Sequence, residues 1–137
     1  MSLIEFSSDI SSAEAPPPLP ANEYPGIIEK AELATSQISG NRILRLYIRI
    51  PADAYPVDYV DGDEEGTLLL FGRTVIGDTP TLRYRLRKVA DCCGVTINSN
   101  LDEAKVGEFV NQPVRVHVSN SEYEGEMRAQ IDRLLPA

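Results

Sequence analysis

Three side chains that could contact a nucleic acid recur at alternate positions in residues 42–51. Arg45, Tyr47 and Arg49 alternate there with leucine and isoleucine. An arginine can contact phosphate without reading a base sequence, and a tyrosine can stack on a base, which is worth about 1 to 3 kcal/mol per base. The same residue types suit any exposed β face, because tyrosine favours strands. The pattern therefore indicates a candidate binding stripe, and the strength of this indication depends on where the fold places the strand.

Further cationic and aromatic residues could extend this stripe. Phe71 and Arg73 flank Gly72, which allows close approach of a backbone, although a phenylalanine in a strand is more often part of the core. Arg42 follows the turn signal at residues 39–41. Candidates on the last two predicted strands are Arg115, His117 and Arg128. We predict that these residues, with the stripe, form the nucleic-acid-binding set.

The sequence offers no residue set for catalysis or for a metal. Cys92 and Cys93 are adjacent and the single histidine, His117, is distant, so neither a zinc ligand set nor a Cys–His pair is predicted. The acidic loop at residues 53–66 lacks the full calcium-binding pattern. We therefore expect a protein that is not an enzyme, has no cofactor and keeps its thiols reduced.

Alternating hydrophobicity predicts five short strands. They cover residues 26–36, 42–51, 67–73 and 114–118, and a last strand from residue 127 to near residue 136. A short helical turn is predicted within residues 101–111.

One main helix is predicted between the third and fourth strands. Thr79 can cap its first turn and Pro80 suits the first helical position, while Gly94 ends the helix. Its apolar face consists of Leu82, Leu86, Val89, Ala90 and Cys93. Its polar side carries Arg83, Tyr84, Arg85, Arg87 and Lys88, which we interpret as a solvated surface.

The order of three strands, one helix and two strands predicts a mainly β fold, a five-stranded OB-type barrel. In that fold the second and third strands and the 1-2 and 4-5 loops form the usual binding surface. An SH3-like barrel or an open α+β sheet also fits this order. Residues 1–23, rich in Pro, Ser and Ala, are predicted to be a flexible N-terminal arm, and residues 24–137 the OB-like domain.

The net charge of -8 argues against nucleic acid, because lysine and arginine supply most non-specific affinity for phosphate. The charges are unevenly distributed, however. Residues 33–52 hold three arginines and no acid, and residues 67–101 hold five bases against two acids. A basic surface inside an acidic protein is therefore compatible with the sequence, and so is an ordinary solvated mixture of charges.

Four segments resemble a family of small phage-encoded proteins that are similar to single-stranded DNA-binding proteins. They are YPGIIEKAELATSQISGNRILRLYIRI, TLLLFGR, LRYRLRKVADCCGV and FVNQPVRVHVSNSEYEGEMRAQIDRLL, spanning roughly residues 24–135. The resemblance implies an OB-like fold and non-catalytic, largely sequence-independent binding of single-stranded DNA in phage DNA replication or recombination. Many such proteins end in an acidic tail that recruits partners, whereas this chain ends in DRLLPA.

Two other function classes remain open. An OB-like protein–protein interaction module, such as a phage accessory or structural protein, fits the acidic balance. A DNA-mimicking inhibitor would use the carboxylates of residues 53–66. No apolar run reaches the roughly 18 residues that a membrane span needs, and no secretory signal is evident, so we expect a cytoplasmic protein of a bacterial host cell. Replication or recombination proteins are expected partners, and a homo-oligomer is compatible with this class.

Overall fold

One five-stranded antiparallel sheet and one main helix form most of the fold in the computed structural model, which describes residues 3–13 and 17–137. The strands are β1 (Asn22–Thr35), β2 (Arg42–Ile50), β3 (Thr67–Ile76), β4 (Pro113–Tyr123) and β5 (Glu126–Leu135). The helices are α1 (Pro80–Cys92) and the short α2 (Glu103–Gly107). The predicted mainly β class and the order of three strands, one main helix and two strands are confirmed.

The sheet is open, with strand order β3-β2-β1-β4-β5. Within residues 3–13 and 17–137, no strand pairing joins the edge strands β3 and β5, although their Cα atoms approach within 8 Å. The sheet therefore does not close into the predicted barrel. The helix α1 contacts both edges, and the Cys92 thiol donates to the Leu134 carbonyl of β5 at 3.7 Å. This helix covers the seam where the two edges would pair, and so protects them from other strands.

Alternation along β2 separates a buried inner face from an outer face. Leu44, Leu46, Ile48 and Ile50 are fully buried, and the residues between them are only half-buried. Successive side chains of a strand point to opposite faces, so Arg45, Tyr47 and Arg49 lie on the outer face. The strand predicted from this alternation is confirmed, with β2 ending one residue earlier than predicted. The rest of the core includes Tyr24, Ile28, Phe109, Val114, Val116 and Val118.

The predicted boundaries of α1 are confirmed. The Thr79 side chain accepts a hydrogen bond from the Leu82 backbone amide at 3.2 Å, and Pro80 begins the helix. Gly94 follows the helix with a φ of +70°, a left-handed conformation that glycine adopts at little cost. Ala90 and Cys93 are buried, while the remainder of the apolar face is half-buried against β3 and β5.

Several strands are longer than their hydrophobic patterns predict. β4 and β5 pair as far as Tyr123 and Glu126, whereas β4 leaves β1 after the pair Asn22–Val118. The ends of β4 and β5 therefore form a two-stranded ribbon beyond the sheet. The β4 part of this ribbon, residues 119–123 (SNSEY), carries no alternation of apolar and polar residues, so the hydrophobic pattern did not extend β4 this far.

The C-terminal part of the predicted arm packs against the sheet. Leu19 is 1% exposed, and its carbonyl accepts a hydrogen bond from the Asn120 side-chain amide at 2.9 Å. The Tyr24 hydroxyl donates to the Pro20 carbonyl at 2.6 Å. The parts of the predicted arm at residues 1–2 and 14–16 lie outside the described residues. The packed region thus begins several residues before position 24.

Truncating Leu19 should destabilise the whole domain. We expect Leu19→Ala to lower the free energy of unfolding by about 2 to 5 kcal/mol, because it leaves a cavity in the core. Ile10→Ala is the matched control, since Ile10 is 58% exposed and should change stability by less than about 0.5 kcal/mol. Urea unfolding of both variants measures the difference. Equal stability of the two variants would show that residues 17–22 do not pack on the sheet.

Candidate functional site

The candidate stripe lies on the outer face of β2, between β1 and β3. Tyr47 is paired with Lys30 on β1 and with Leu70 on β3. Arg49 is paired with Leu68 on β3. Leu68 and Leu70 are 43% and 46% exposed. The outer face therefore places one aromatic ring beside exposed aliphatic side chains, which is a surface that a planar base can contact.

Arg49 is held by a carboxylate from β1. Its Nε and Nη2 donate to Oε1 and Oε2 of Glu29 at 2.7 and 3.1 Å. Glu29 is the extra residue of a β-bulge, which lies between the pairs Ile28–Ile48 and Lys30–Tyr47. The hydrogen bond from Arg49 is the main cause that lowers the pKa of Glu29. This ion pair balances the charge of Arg49 and fixes its direction.

Glu32 balances the charges of Arg45 and of the neighbouring Lys30 on β1. Its Oε1 accepts a hydrogen bond from the Tyr47 hydroxyl at 3.1 Å and lies 3.8 Å from Nη1 of Arg45. Its Oε2 lies 3.4 Å from the Lys30 ammonium, which also sits 5.2 Å from the centre of the Tyr47 ring. The hydrogen bond from Tyr47 is the main cause that lowers the pKa of Glu32. The Tyr47 ring is therefore oriented by two neighbours.

The stripe and its partners carry little net charge. Three cations, Lys30, Arg45 and Arg49, face two carboxylates, Glu29 and Glu32, which leaves 3 − 2 = +1. Surface ion pairs of this kind contribute little to stability, but each one reduces the attraction of its arginine for phosphate. The sequence prediction of a basic stripe did not include these carboxylates.

The candidates on β4 and β5 lie apart from the stripe. Arg115 and His117 are on the outer side of β4, where Arg115 pairs with Glu23 at 3.9 Å. Arg128 lies in the ribbon formed by β4 and β5, with its guanidinium 4.7 Å from the centre of the Tyr123 ring. These residues do not share one site with Tyr47.

The remaining predicted residues occupy three different places. Phe71 is 8% exposed and belongs to the core, so its ring is not available on the outer face. Arg42 is exposed at the start of β2, next to the β1–β2 turn. Arg73 is exposed on β3 and lines a cleft against α1. Of the predicted set, only Arg45, Tyr47 and Arg49 therefore form one cluster.

Five outer-face residues were missed by sequence reasoning. The residues that contact or flank the stripe are Glu29, Lys30, Glu32, Leu68 and Leu70. The signal for Leu68 and Leu70 was available, because they alternate with Leu69 and the buried Phe71. The register of the β1–β2 hairpin was a signal for Glu32, whereas the contact of Glu29 depends on the β-bulge.

The described part of the chain was also compared with the requirements of a metal site and of a reactive thiol. No group of three or more His, Cys, Asp or Glu side chains there is arranged to hold a metal ion. Burial raises the pKa of the Cys93 thiol to about 12, which disfavours the thiolate that a nucleophile needs. None of the described helices has the length and apolar character required to cross a membrane.

A polar network on the outer side of β4 and β5 surrounds Asp132. Its Oδ1 accepts hydrogen bonds from the Ser119 hydroxyl at 2.8 Å and the Gln130 amide at 3.3 Å. His117 Nδ1 lies 3.4 Å from its other oxygen. The hydrogen bond from Ser119 is the main cause that lowers the pKa of Asp132, and His117 and Gln130 lower it further.

Asp132 should make stability depend on pH in the acid range. Because its folded pKa lies below the unfolded value of about 3.9, the carboxylate stabilises the fold above that pH and loses this effect as the pH falls through the folded pKa. We expect Asp132→Asn to melt at a lower temperature than the wild type at pH 7, with the difference shrinking below about pH 4. Asp58→Asn, in an exposed loop, controls for the charge change. A difference that stays constant from pH 7 to pH 2 would contradict this assignment.

Comparison with known proteins identifies a family but no curated relative. A family model described as "Protein of unknown function (DUF669)" matches residues 6–135. No curated protein matches the sequence. The matched region includes all five strands and both helices, and it begins within the N-terminal segment. Because the match covers nearly the whole chain, the protein belongs to the DUF669 family.

Proposed function

We propose that the protein binds single-stranded DNA without catalysis and with little sequence preference. The observation that carries the proposal is the Tyr47 ring on an open sheet face. The ring is held by a hydrogen bond to Glu32 and lies beside Lys30 and the exposed Leu70. In proteins that bind single strands without sequence preference, the bases stack on aromatic rings of this kind.

An OB-type fold, which we propose for the domain, would make this face the expected binding surface. OB folds are partly open five-stranded barrels that bind oligonucleotides on strands 2 and 3 and the 1-2 and 4-5 loops. Here β2 carries Tyr47 and β3 carries Leu68 and Leu70 on this face, while Arg128 and Tyr123 lie apart from it in the β4–β5 ribbon. The approach of β3 to β5 across the α1 seam supports the interpretation of the sheet as such an opened barrel.

The proposed setting is phage DNA replication or recombination in the cytoplasm of a bacterial host. It follows from the resemblance of residues 24–135 to phage-encoded proteins that are similar to single-stranded DNA-binding proteins. Single-stranded DNA is then the principal partner, replication or recombination proteins are further partners, and a homo-oligomer would link several weak sites into a stronger one.

A protein–protein interaction module is the second candidate, and one observation favours it. Four apolar residues near the N-terminus are largely exposed: Leu3 (81%), Ile4 (76%), Phe6 (65%) and Ile10 (58%). Phe6 and Ile10 also line one cavity, and exposed apolar groups that lie close together commonly mark sites of contact with other proteins. The balanced charges of Arg45 and Arg49 fit this candidate as well as they fit DNA binding.

Fluorescence anisotropy with labelled oligo-dT, beside the same label on duplex DNA, tests the main proposal. We expect salt-sensitive binding to the single strand and much weaker binding to the duplex. No binding of the single strand even at low salt would overturn the proposal and favour the protein-interaction module.

Removing the Tyr47 ring should weaken this binding selectively. Loss of one stacking interaction of about 1 to 3 kcal/mol predicts that Tyr47→Ala binds oligo-dT about 5- to 150-fold more weakly. Tyr47→Phe is the matched control, because it keeps the ring and loses only the hydrogen bond to Glu32. Unchanged affinity of Tyr47→Ala, with an unchanged melting temperature, would remove this ring from the site.

Removing the carboxylates that pair with the stripe should strengthen binding. In Glu29→Gln/Glu32→Gln, Lys30, Arg45 and Arg49 lose their charged partners and become free to contact phosphate. We expect higher affinity and a salt slope steeper by about 0.7 for each additional phosphate that these cations neutralise. Asp58→Asn/Glu64→Gln removes the same charge from an exposed loop and is the control. An equal rise in affinity in the two double variants would mean that only net charge matters.

A further inference from the structure

Three cations without a carboxylate partner line one cleft between β3 and α1. Arg73 of β3 and Arg85 and Lys88 of α1 lie around a cavity of about 230 Å³. In the described part of the chain, none of the three has a carboxylate within 4.0 Å, whereas Arg83 and Arg87 of the same helix pair with Asp78 and Asp91. The cleft therefore carries +3 with no balancing acid, compared with +1 for the stripe.

Local structure brings these side chains together. Arg85 and Lys88 are three residues apart on α1, a spacing that places two side chains on the same helix face. Arg73 lies in a β-bulge, where Arg45 alone faces Gly72 and Arg73. The cleft is also lined by Phe71 and Thr74, which are 8% and 5% exposed. The cations therefore surround a largely buried floor.

The cleft adjoins the outer face that carries Tyr47. Gly72 lies between Phe71 and Arg73, and a Cβ built on Gly72 would lie 3.6 Å from Cγ of Arg45 and 3.7 Å from Cγ of Leu70. Because glycine has no side chain, none projects from this position between the stripe and Arg73 of the cleft. A second cavity of about 530 Å³ shares Phe71, Lys88 and Val89 and extends along α1 to β5. Its lining includes Arg133 and also the carboxylates of Asp91 and Asp132.

We infer that this cleft binds the sugar–phosphate backbone of a single-stranded nucleic acid whose bases lie against the outer face of β2 and β3. The inference rests on the proposed function and adds a separate site to it. Each phosphate carries one negative charge, and a cation without a carboxylate partner can neutralise it and release its counterions. Lys88 does lie 5.7 Å from the centre of the Tyr84 ring, but this contact leaves its charge unbalanced. Paired arginines such as Arg45 and Arg49 must first leave their carboxylates.

The test compares two double variants of the same helix. Arg85→Gln/Lys88→Gln removes two cleft cations, and Arg83→Gln/Arg87→Gln removes two cations that are paired outside the cleft. Both variants change the net charge by the same amount. Binding of labelled oligo-dT is measured over a series of salt concentrations, and thermal melts verify that both variants fold. Arg85→Lys/Lys88→Arg retains the charges and should bind like the wild type.

We expect the slope of log K against log salt to become less steep by about 1.4 in Arg85→Gln/Lys88→Gln. This change corresponds to about 0.7 for each of the two phosphates of a single strand that this variant no longer neutralises. The paired variant should keep the wild-type slope. Tyr47→Ala should lower affinity without changing the slope, because stacking releases no counterions.

Two different results would overturn the inference, and they are distinguishable. If the wild type binds oligo-dT and both double variants retain its slope, the cleft does not contact phosphate, while the proposed function stands. If the wild type does not bind oligo-dT at all, the proposed function fails and the cleft site fails with it. If Arg85→Gln/Lys88→Gln has a lowered melting temperature, Arg73→Gln on β3 provides the same comparison. Its slope of log K against log salt should be less steep than that of the wild type by about 0.7.

Discussion

The burial of the aliphatic row on β2 is the constraint on which the rest of the structure depends. Leu44, Leu46, Ile48 and Ile50 form the centre of the core, so a shift of β2 by one residue would move all four to solvent. That penalty fixes the register of β2 against both neighbours. It also places Tyr47 on the opposite face, between β1 and β3, where Glu32 and Lys30 orient its ring. The position of the candidate site is thus a consequence of the core.

Two β-bulges then determine where charge is balanced and where it is not. The bulge in β1 brings Glu29 to Arg49 and leaves the stripe nearly neutral. The bulge in β3 lies where Arg73 lines the cleft against α1, and no carboxylate pairs with it among the described residues. On the surface that we propose for nucleic acid, the bases therefore stack on the sheet, and the phosphates contact the seam covered by α1. This division also reconciles DNA binding with a net charge of -8, because phosphate responds to local cations.

Features that depend on local patterns could be predicted from the sequence, and features that depend on distant contacts could not. The period of two in β2 and the Thr79 cap of α1 are local, and both are confirmed. The pair Glu32–Arg45 follows from the hairpin register that begins at Thr35–Arg42, so it was within reach. The pair Glu29–Arg49 was not, because it depends on a bulge that no sequence signal marks. The open sheet depends on how α1 packs against its edges, and the burial of Leu19 depends on how the N-terminal segment packs. The hydrophobic pattern of a single strand does not predict either kind of packing.

The central claim is that a single strand lies across β2 and β3 and reaches the cleft against α1. Amide chemical shifts of the ¹⁵N-labelled protein, followed by NMR as unlabelled oligo-dT is added, test it residue by residue. The account predicts that the largest changes occur in β2 around Tyr47, in β3 from Leu68 to Arg73 and in α1 around Arg85 and Lys88, with the acidic loop at residues 53–66 little affected. Changes confined to that loop or to residues 3–13, or no changes at saturating oligonucleotide, would contradict it.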